Sequence, residues 1–318
     1  MKTHANLNKV IAFAAAVMIS ALSAVAEESG TGHYIPGQTA DFIDALPGYP
    51  SLEYENTFTY YKGSAGAGRP FPIIGQVALN EEATSYTDSS VLLSETPLKV
   101  FGGYYNVFAS IPYTWLTVSG DLQVGARTVH TTDSVSGLGD IYFAPAAIGW
   151  SKGDFTWDAR FGIYAPTGEF DKTSLANPGL GYWTFEPEVT FSWLSSKFGT
   201  EVGVFADLDF NTENTTTNYT SGDILHIDFT VAQHLPFLGG SIGVGANGYW
   251  YRQITGDSGS GAVLGPFEAE QVGIGPAVSY TRKMGKTTLL IDVKWLPQID
   301  VEDVMKGNYV WAKAALVF

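Results

Sequence analysis

The run YWTFEPEVTFSWLSSKFGTEVGVFADLDFN, residues 182–211, decides the fold. In its first half Trp183, Phe185, Pro187, Val189, Phe191 and Trp193 share one face of an extended strand, while Thr184, Glu186, Glu188, Thr190 and Ser192 share the other. After LSSKFG the pattern returns. Val202, Val204, Ala206, Leu208 and Phe210 face one way, and Glu201, Gly203, Phe205, Asp207, Asp209 and Asn211 the other. Strands of about twelve residues exceed the usual five or six and approach the length that crosses a bilayer at a tilt. Energetics assigns the faces. With the second strand reversed, Glu201, Asp207 and Asp209 would enter hydrocarbon, where a Lys or Arg costs roughly 2–4 kcal/mol at the midplane and a carboxylate somewhat less. Three such penalties rival the stability of a whole domain, so the carboxylates face a wet interior. The sequence predicts an all-β protein: a transmembrane, antiparallel, up-and-down β-barrel.

Working outward from this hairpin, twelve strands are expected, at about 52–61, 89–100, 104–118, 140–150, 155–165, 182–193, 200–211, 223–235, 241–253, 268–280, 287–296 and 308–318. Connections of 11 to 27 residues alternate with connections of 3 to 6, which matches long extracellular loops and short periplasmic turns on an even strand number. A secreted β-sandwich also has many short strands, but its connections would not alternate in this way. Phe155, Trp157, Ala159, Phe161 and Ile163 alternate with Asp158, Arg160 and Gly162. Outward aromatics gather at strand ends: Trp115, Trp183, Phe210, Trp250 and Trp295 by the long loops, and Phe155, Trp193, Tyr280 and Phe318 by the turns. These would form two interfacial girdles. IYFAPAAIGW, at 141–150, is apolar on both faces and ambiguous.

The chain opens with Lys2 and Lys9, an apolar run, and Ala24-Val25-Ala26 before Glu27, which reads as a secretory signal peptide over residues 1–26. Residues 27–51 carry no strand pattern and are expected to be an N-terminal periplasmic extension, either a plug tucked into the barrel or a loose leader, with a short helical turn at 40–46. The barrel occupies 52–318. Without the signal peptide 15 basic residues face 32 acidic ones, a balance against a nucleic-acid partner. There is no cysteine, hydrophobic residues make up 45% and charged residues 15% of the chain, below the usual quarter of a soluble domain. The absence of cysteine fits passage through an oxidising periplasm without staples.

Several catalytic patterns occur in the wrong context. Gly243, Gly245 and Gly248 spell G-x-G-x-x-G but open no helix. Gly239 to Gly243 spells G-x-S-x-G around Ser241, yet no histidine follows it to complete the hydrolase order; an outer-membrane esterase is the weaker alternative to a protein without enzymatic activity. Asp207, Asp209 and Asn211 begin like a calcium loop and lack its later glycine and acid. His33, His130, His226 and His234 show no metal-ligand spacing, and no metal or cofactor is expected. The inward faces carry Glu53, Glu55, Asp158, Glu186, Glu188, Glu201, Asp207, Asp209, Asp228 and Asp292, opposed by Arg160, Lys294 and Lys313. Such a lumen would attract cations; the same acids could instead pair and hold the interior closed. Inward Phe205, Tyr249 and Tyr251 could offer a surface to apolar solutes or simply fill space.

The motifs GLGD at 137–140, APTG at 165–168, YWTFEPE at 182–188, FNTEN at 210–214, YTSGD at 219–223, GYWYRQITGDSGSG at 248–261 and GIGP at 273–276 resemble the outer-membrane family named for the meta-pathway of phenol degradation, from about Gly32 to Phe318. The resemblance implies a channel or transporter for an aromatic or other hydrophobic solute and supplies no defined substrate residues. A final strand ending in Phe318 looks like the recognition signal read by the barrel assembly machinery. A non-transporting barrel whose long loops bind a partner or a surface is the competing reading.

Overall fold

The computed structural model describes residues 28–46, 50–65, 70–73, 76–124 and 127–318; the expected signal peptide lies outside the described residues. After a short 3-10 turn at Glu28–Gly30 come β1 (Ser51–Ser64), β2 (Pro70–Ile73), β3 (Gln76–Val100), β4 (Gly103–Val124), β5 (Arg127–Leu138), β6 (Ile141–Lys152) and β7 (Phe155–Ala165). They are followed by β8 (Thr184–Leu194), β9 (Thr200–Asn211), β10 (Ile224–Phe237), β11 (Gly240–Gln253), β12 (Glu270–Met284), β13 (Thr287–Glu302) and β14 (Lys306–Val317). β1 pairs antiparallel with both β14 and β3, β3 pairs with β4, and β4 pairs with β6, so twelve of the strands close into a ring. No helix among the described residues is long and apolar enough to cross a membrane; the crossing is made by strands.

Each of the twelve predicted runs overlaps one barrel strand. The structure departs from expectation in the connections. Much of 62–88, 119–139 and 297–307, expected as loop, is strand: β3 and β4 continue beyond the barrel, β2 folds back on β3, and β5 folds back on β4. The cause is chemical. β5, RTVHTTDSVSGL, is rich in β-branched Thr and Val, but none of residues 128–138 is buried. The half-buried face of Thr131, Asp133, Val135 and Gly137 is polar or small apart from Val135, so there is no apolar row to betray it. Asp133 in β5 fastens the next loop: its Oδ2 accepts from the Ser174 hydroxyl and from the Leu175 and Ala176 amides at 3.0 and 3.4 Å. The Ser174 hydroxyl, followed by those amides, holds this carboxyl below its usual range.

The opposite rim is made of tight turns. Phe101-Gly102 and Leu238-Gly239 take φ of 50° and 82°, and 45° and 75°, the paired left-handed values of the two-residue turn whose twist matches the flanking strands. The ambiguous β6 contains a bulge. Its register shifts against β7 between Phe143 and Ala146, and the buried set moves from Tyr142 and Ala144 to Ala147 and Gly149. A strand that switches parity reads as apolar on both faces in sequence.

The two faces of the wall carry the expected chemistry. Val189 and Phe191 are 60% and 50% exposed, whereas Glu188 and Thr190, which alternate with them, are buried. Trp115, Trp183, Phe210 and Trp295 are exposed at the long-loop ends, Phe155 and Phe318 at the turn ends, and Trp193, Trp250 and Tyr280 are half-buried.

Candidate functional site

The hairpin register builds the site. Pairing Arg160 with Glu188, Glu188 with Asp207, and Asp207 with His226 sets these inward side chains in one row across β7, β8, β9 and β10. Arg160 Nη2 lies 2.9 Å from Glu188 Oε1, and its Nε lies 3.5 Å from Asp158. Glu201, nearer the turns, accepts from His234 at 2.6 Å.

Residues 28–46 are packed against this inner wall from end to end. At the long-loop end, Glu28 accepts from Asn214 Nδ2 at 3.0 Å. His33 bridges Asp140 at 3.0 Å and Thr184 at 2.7 Å and stacks on Tyr164. Tyr34 donates to Asp228 and stacks on His226 with ring centroids 3.6 Å apart. Thr39 donates to the other oxygen of Asp228 through its amide and its hydroxyl, at 3.2 and 2.9 Å. Asp41 bridges Lys294 and Lys313, the latter at 2.8 Å, and Asp44 reaches Lys313 at 2.7 Å. The Ile43 amide donates to Glu201 at 2.7 Å. The helical turn expected at 40–46 is absent: Ala40 and Ile43 both have φ of 60°, a left-handed conformation that breaks a helix and is uncommon for a β-branched residue. The Ala40 carbonyl accepts from Asn247, so contacts with the wall fix both positions.

The motifs singled out in sequence gather around the upper end of this segment. Asp140 of GLGD accepts from His33 and also from the Gly168 and Leu180 amides at 2.8 and 2.7 Å. Gly168 of APTG approaches the Gly179 backbone so closely that a Cβ would lie 2.7 Å from Gly179 Cα. Asn214 of FNTEN also donates to the Leu180 carbonyl at 3.1 Å. Asp257 of the long glycine-rich motif accepts from Tyr219 at 2.6 Å, the Gly222 amide at 3.1 Å and Gln253 at 2.7 Å. These residues brace the loops.

Between the segment and the β1–β3–β4 wall runs a cavity of about 440 Å³. Thr57, Thr59, Thr87, Ser89 and Ser110 supply hydroxyls, and Val91, Leu93, Phe108, Leu116 and Val118 supply an apolar surface. None of these residues was singled out in sequence. Their signal was the run of small hydroxyl residues on the inward faces of β1 and β3, which reads as ordinary polar filling. Of the sequence-predicted candidates, Arg160, Glu186, Glu188 and Tyr251 line this cavity. Asp158, Glu201, Phe205, Asp207, Asp209, Asp228 and Tyr249 are buried and do not line it. The row of acids is therefore largely covered. The Ser241 hydroxyl donates to the Leu235 carbonyl at 3.4 Å near a turn.

A family model described as "Putative MetA-pathway of phenol degradation" matches residues 67–314. No curated protein matches. Among solved structures, an outer membrane channel from Pseudomonas putida F1 superposes with a TM-score of 0.63 at 16% identity, covering 90% of this chain and 100% of that one. The β-domain of the Bordetella autotransporter BrkA gives a TM-score of 0.46 at 13% identity, over 84% of this chain and 99% of that one. The first of these likenesses supports the fold, an outer-membrane-type β-barrel.

Proposed function

The chain belongs to the family described as the putative MetA-pathway of phenol degradation, and from that membership and the form of its lumen we propose that it is an outer-membrane channel for a small aromatic or hydrophobic solute. The observation that carries this reading is the cavity itself. It is about 440 Å³, within the range of small-molecule sites, and it pairs an apolar wall with a row of hydroxyls. An aromatic ring bearing one polar group matches that division. Of the ten acids expected on the inward faces, Glu53, Glu55, Glu186 and Glu188 line this cavity and the other six do not.

In this reading the segment 28–46 is a plug that narrows the passage, and the solute moves along the β1–β3–β4 side of it. The solute undergoes no chemical conversion. The barrel faces lipid on its outer surface and is handed to the membrane by the assembly machinery, which reads β14 and Phe318.

The test is flux through proteoliposomes containing the purified barrel, with a labelled monohydroxylated aromatic and, in parallel, glucose. Aromatic flux well above that of glucose, reduced by Phe108→Asp and by Leu116→Asp in barrels that still show heat-modifiable migration, would support the proposal. An inserted barrel that passes neither solute, also after residues 28–46 are deleted, would overturn it and favour a barrel whose loops bind a partner.

A further inference from the structure

Most of the titratable groups inside the barrel have close partners. Asp228 is held by Tyr34 and Thr39, Glu201 by His234 and Ile43, Asp140 by His33 and two amides, and Glu188 by Arg160 and Thr190. One group stands apart. Glu186, Asp207 and Asp209 converge on His226, and all four residues are 3% exposed or less. His226 Nε2 lies 3.7 Å from Glu186 Oε2 and 3.7 Å from Asp209 Oδ1, and Nδ1 lies 3.5 Å from Asp207 Oδ2. Neither ring nitrogen of His226 and none of the four oxygens of Asp207 and Asp209 makes a hydrogen bond. Buried polar groups are ordinarily hydrogen-bonded, and a buried charge without a partner is costly. Six such atoms facing one another call for a ligand.

The spacing indicates what kind. Atoms that ligate one ion at about 2.0–2.2 Å are separated from each other by roughly 3.3–3.7 Å in a tetrahedral site. The separations here are too long for good hydrogen bonds and suit an ion between the groups. One ligand atom each from Glu186, Asp207 and His226 falls within 4.8 Å of the others, and Asp209 adds a further carboxylate beside Nε2. Either nitrogen can take the ion, because the other then retains a carboxylate to orient it, as metal-bound imidazoles generally require. Charge points the same way. Three carboxylates share one imidazole, and the nearby Arg160 is already engaged by Glu188 and Asp158. A divalent cation would take up two of the three negative charges. An imidazole ligand among carboxylates selects a first-row transition ion over calcium or magnesium, which prefer all-oxygen sets.

We propose that His226 binds one divalent transition-metal ion, of the zinc or manganese kind, together with carboxylates from the set Glu186, Asp207 and Asp209, with a carboxylate on its other ring nitrogen orienting the imidazole and the Tyr34 ring stacked on it. The site ties together β8, β9 and β10 and sits beneath the luminal segment. It is a structural site, and the ion does no chemistry on a solute. It does not depend on the channel reading.

The test counts metal in the mature barrel. The protein is refolded from urea into detergent with excess zinc chloride, passed through EDTA and desalted, and its zinc is measured by mass spectrometry. Folding is verified by heat-modifiable migration. The wild type is expected to retain about one equivalent, and His226→Gln and Glu186→Gln to retain at least tenfold less. His130→Gln, which removes an exposed histidine, leaves the count unchanged. Refolding with cobalt chloride should give visible absorption bands that His226→Gln lacks. Wild-type barrel that is folded and holds no more zinc than His226→Gln overturns the proposal, and so does zinc that His130→Gln removes. The wild-type count decides even where a variant fails to fold, since a folded wild type without zinc is itself a refutation.

Discussion

Replacing Asp41 by Asn should unlatch the luminal segment. Asp41 is the carboxylate that meets Lys294 and Lys313 together. Both ammonium groups are 5% exposed or less. Removing one partner of a buried ion pair leaves an uncompensated charge and costs about 3–5 kcal/mol. The lower end applies here, because Lys313 keeps Asp44 at 2.7 Å and Glu55 at 3.6 Å, and Lys294 keeps the Thr39 carbonyl at 3.2 Å. Taking about 3 kcal/mol and tenfold per 1.4 kcal/mol, the population with the segment displaced rises by roughly a hundredfold. The assay is single-channel recording in a planar bilayer. Wild-type barrel should open rarely, and Asp41→Asn should raise the open probability by about that factor until it saturates. Deletion of residues 28–46 sets the fully open level. If Asp41→Asn inserts normally and its open probability equals that of the wild type while the deletion variant conducts, the ion pairs do not hold the segment and the reasoning fails.

Val189 lies at the centre of β8 and is 60% exposed; Val189→Lys should lower folding stability in lipid vesicles by roughly 2–4 kcal/mol, measured by urea titration. The same change in detergent micelles should cost less, and equal stability in vesicles would contradict a lipid-facing position. Asp133 is held below its usual carboxylate range by Ser174 and two amides. Its contribution to loop anchoring is therefore complete above the unfolded-state pKa and lost as pH falls through the lower folded value. Proteolysis of the loop at 166–183 should accelerate only at acidic pH in the wild type and already at neutral pH in Asp133→Asn. Gly168→Ala drives a Cβ to within 2.7 Å of Gly179 Cα, a backbone atom, and should cost about 1–3 kcal/mol, seen as earlier thermal unfolding. An unchanged midpoint would mean that the two arms of this loop can part freely.

What the sequence disclosed depended on contrast between two faces. Where one face meets lipid and the other the interior, as from Val202 to Phe210, period-two alternation located strands to within a few residues. Where neither face carries an apolar row, as in β5, it located nothing. In β6 the bulge between Phe143 and Ala146 exchanged the faces midway, and a parity rule could not follow. The exposure of the inward acids was not legible, because the course of residues 28–46 follows from contacts such as Tyr34 with Asp228 and Asp41 with Lys313 that link distant parts of the chain. The grouping around His226 was hidden for a different reason. Ligand spacing was sought along the chain, whereas Asp207 comes opposite His226 through the β9–β10 register and opposite Glu188 through the β8–β9 register, which sets Glu186 and Asp209 beside the imidazole. Counting across both connections would have brought them together.

The path of the luminal segment also bears on how the protein is made. Asp44 is joined to Lys313 across 269 residues, and β14, which supplies Lys313, is also the strand that seals the ring against β1. Residues 28–46 therefore wait for the last strand before this anchor exists. Contacts this distant in sequence are slow to form. A segment already wrapped by the growing sheet can be locked as the seam closes, whereas one left outside a finished cylinder would have to be threaded through it. Sealing and filling become a single event, and a barrel interrupted before that event is both open-edged and empty.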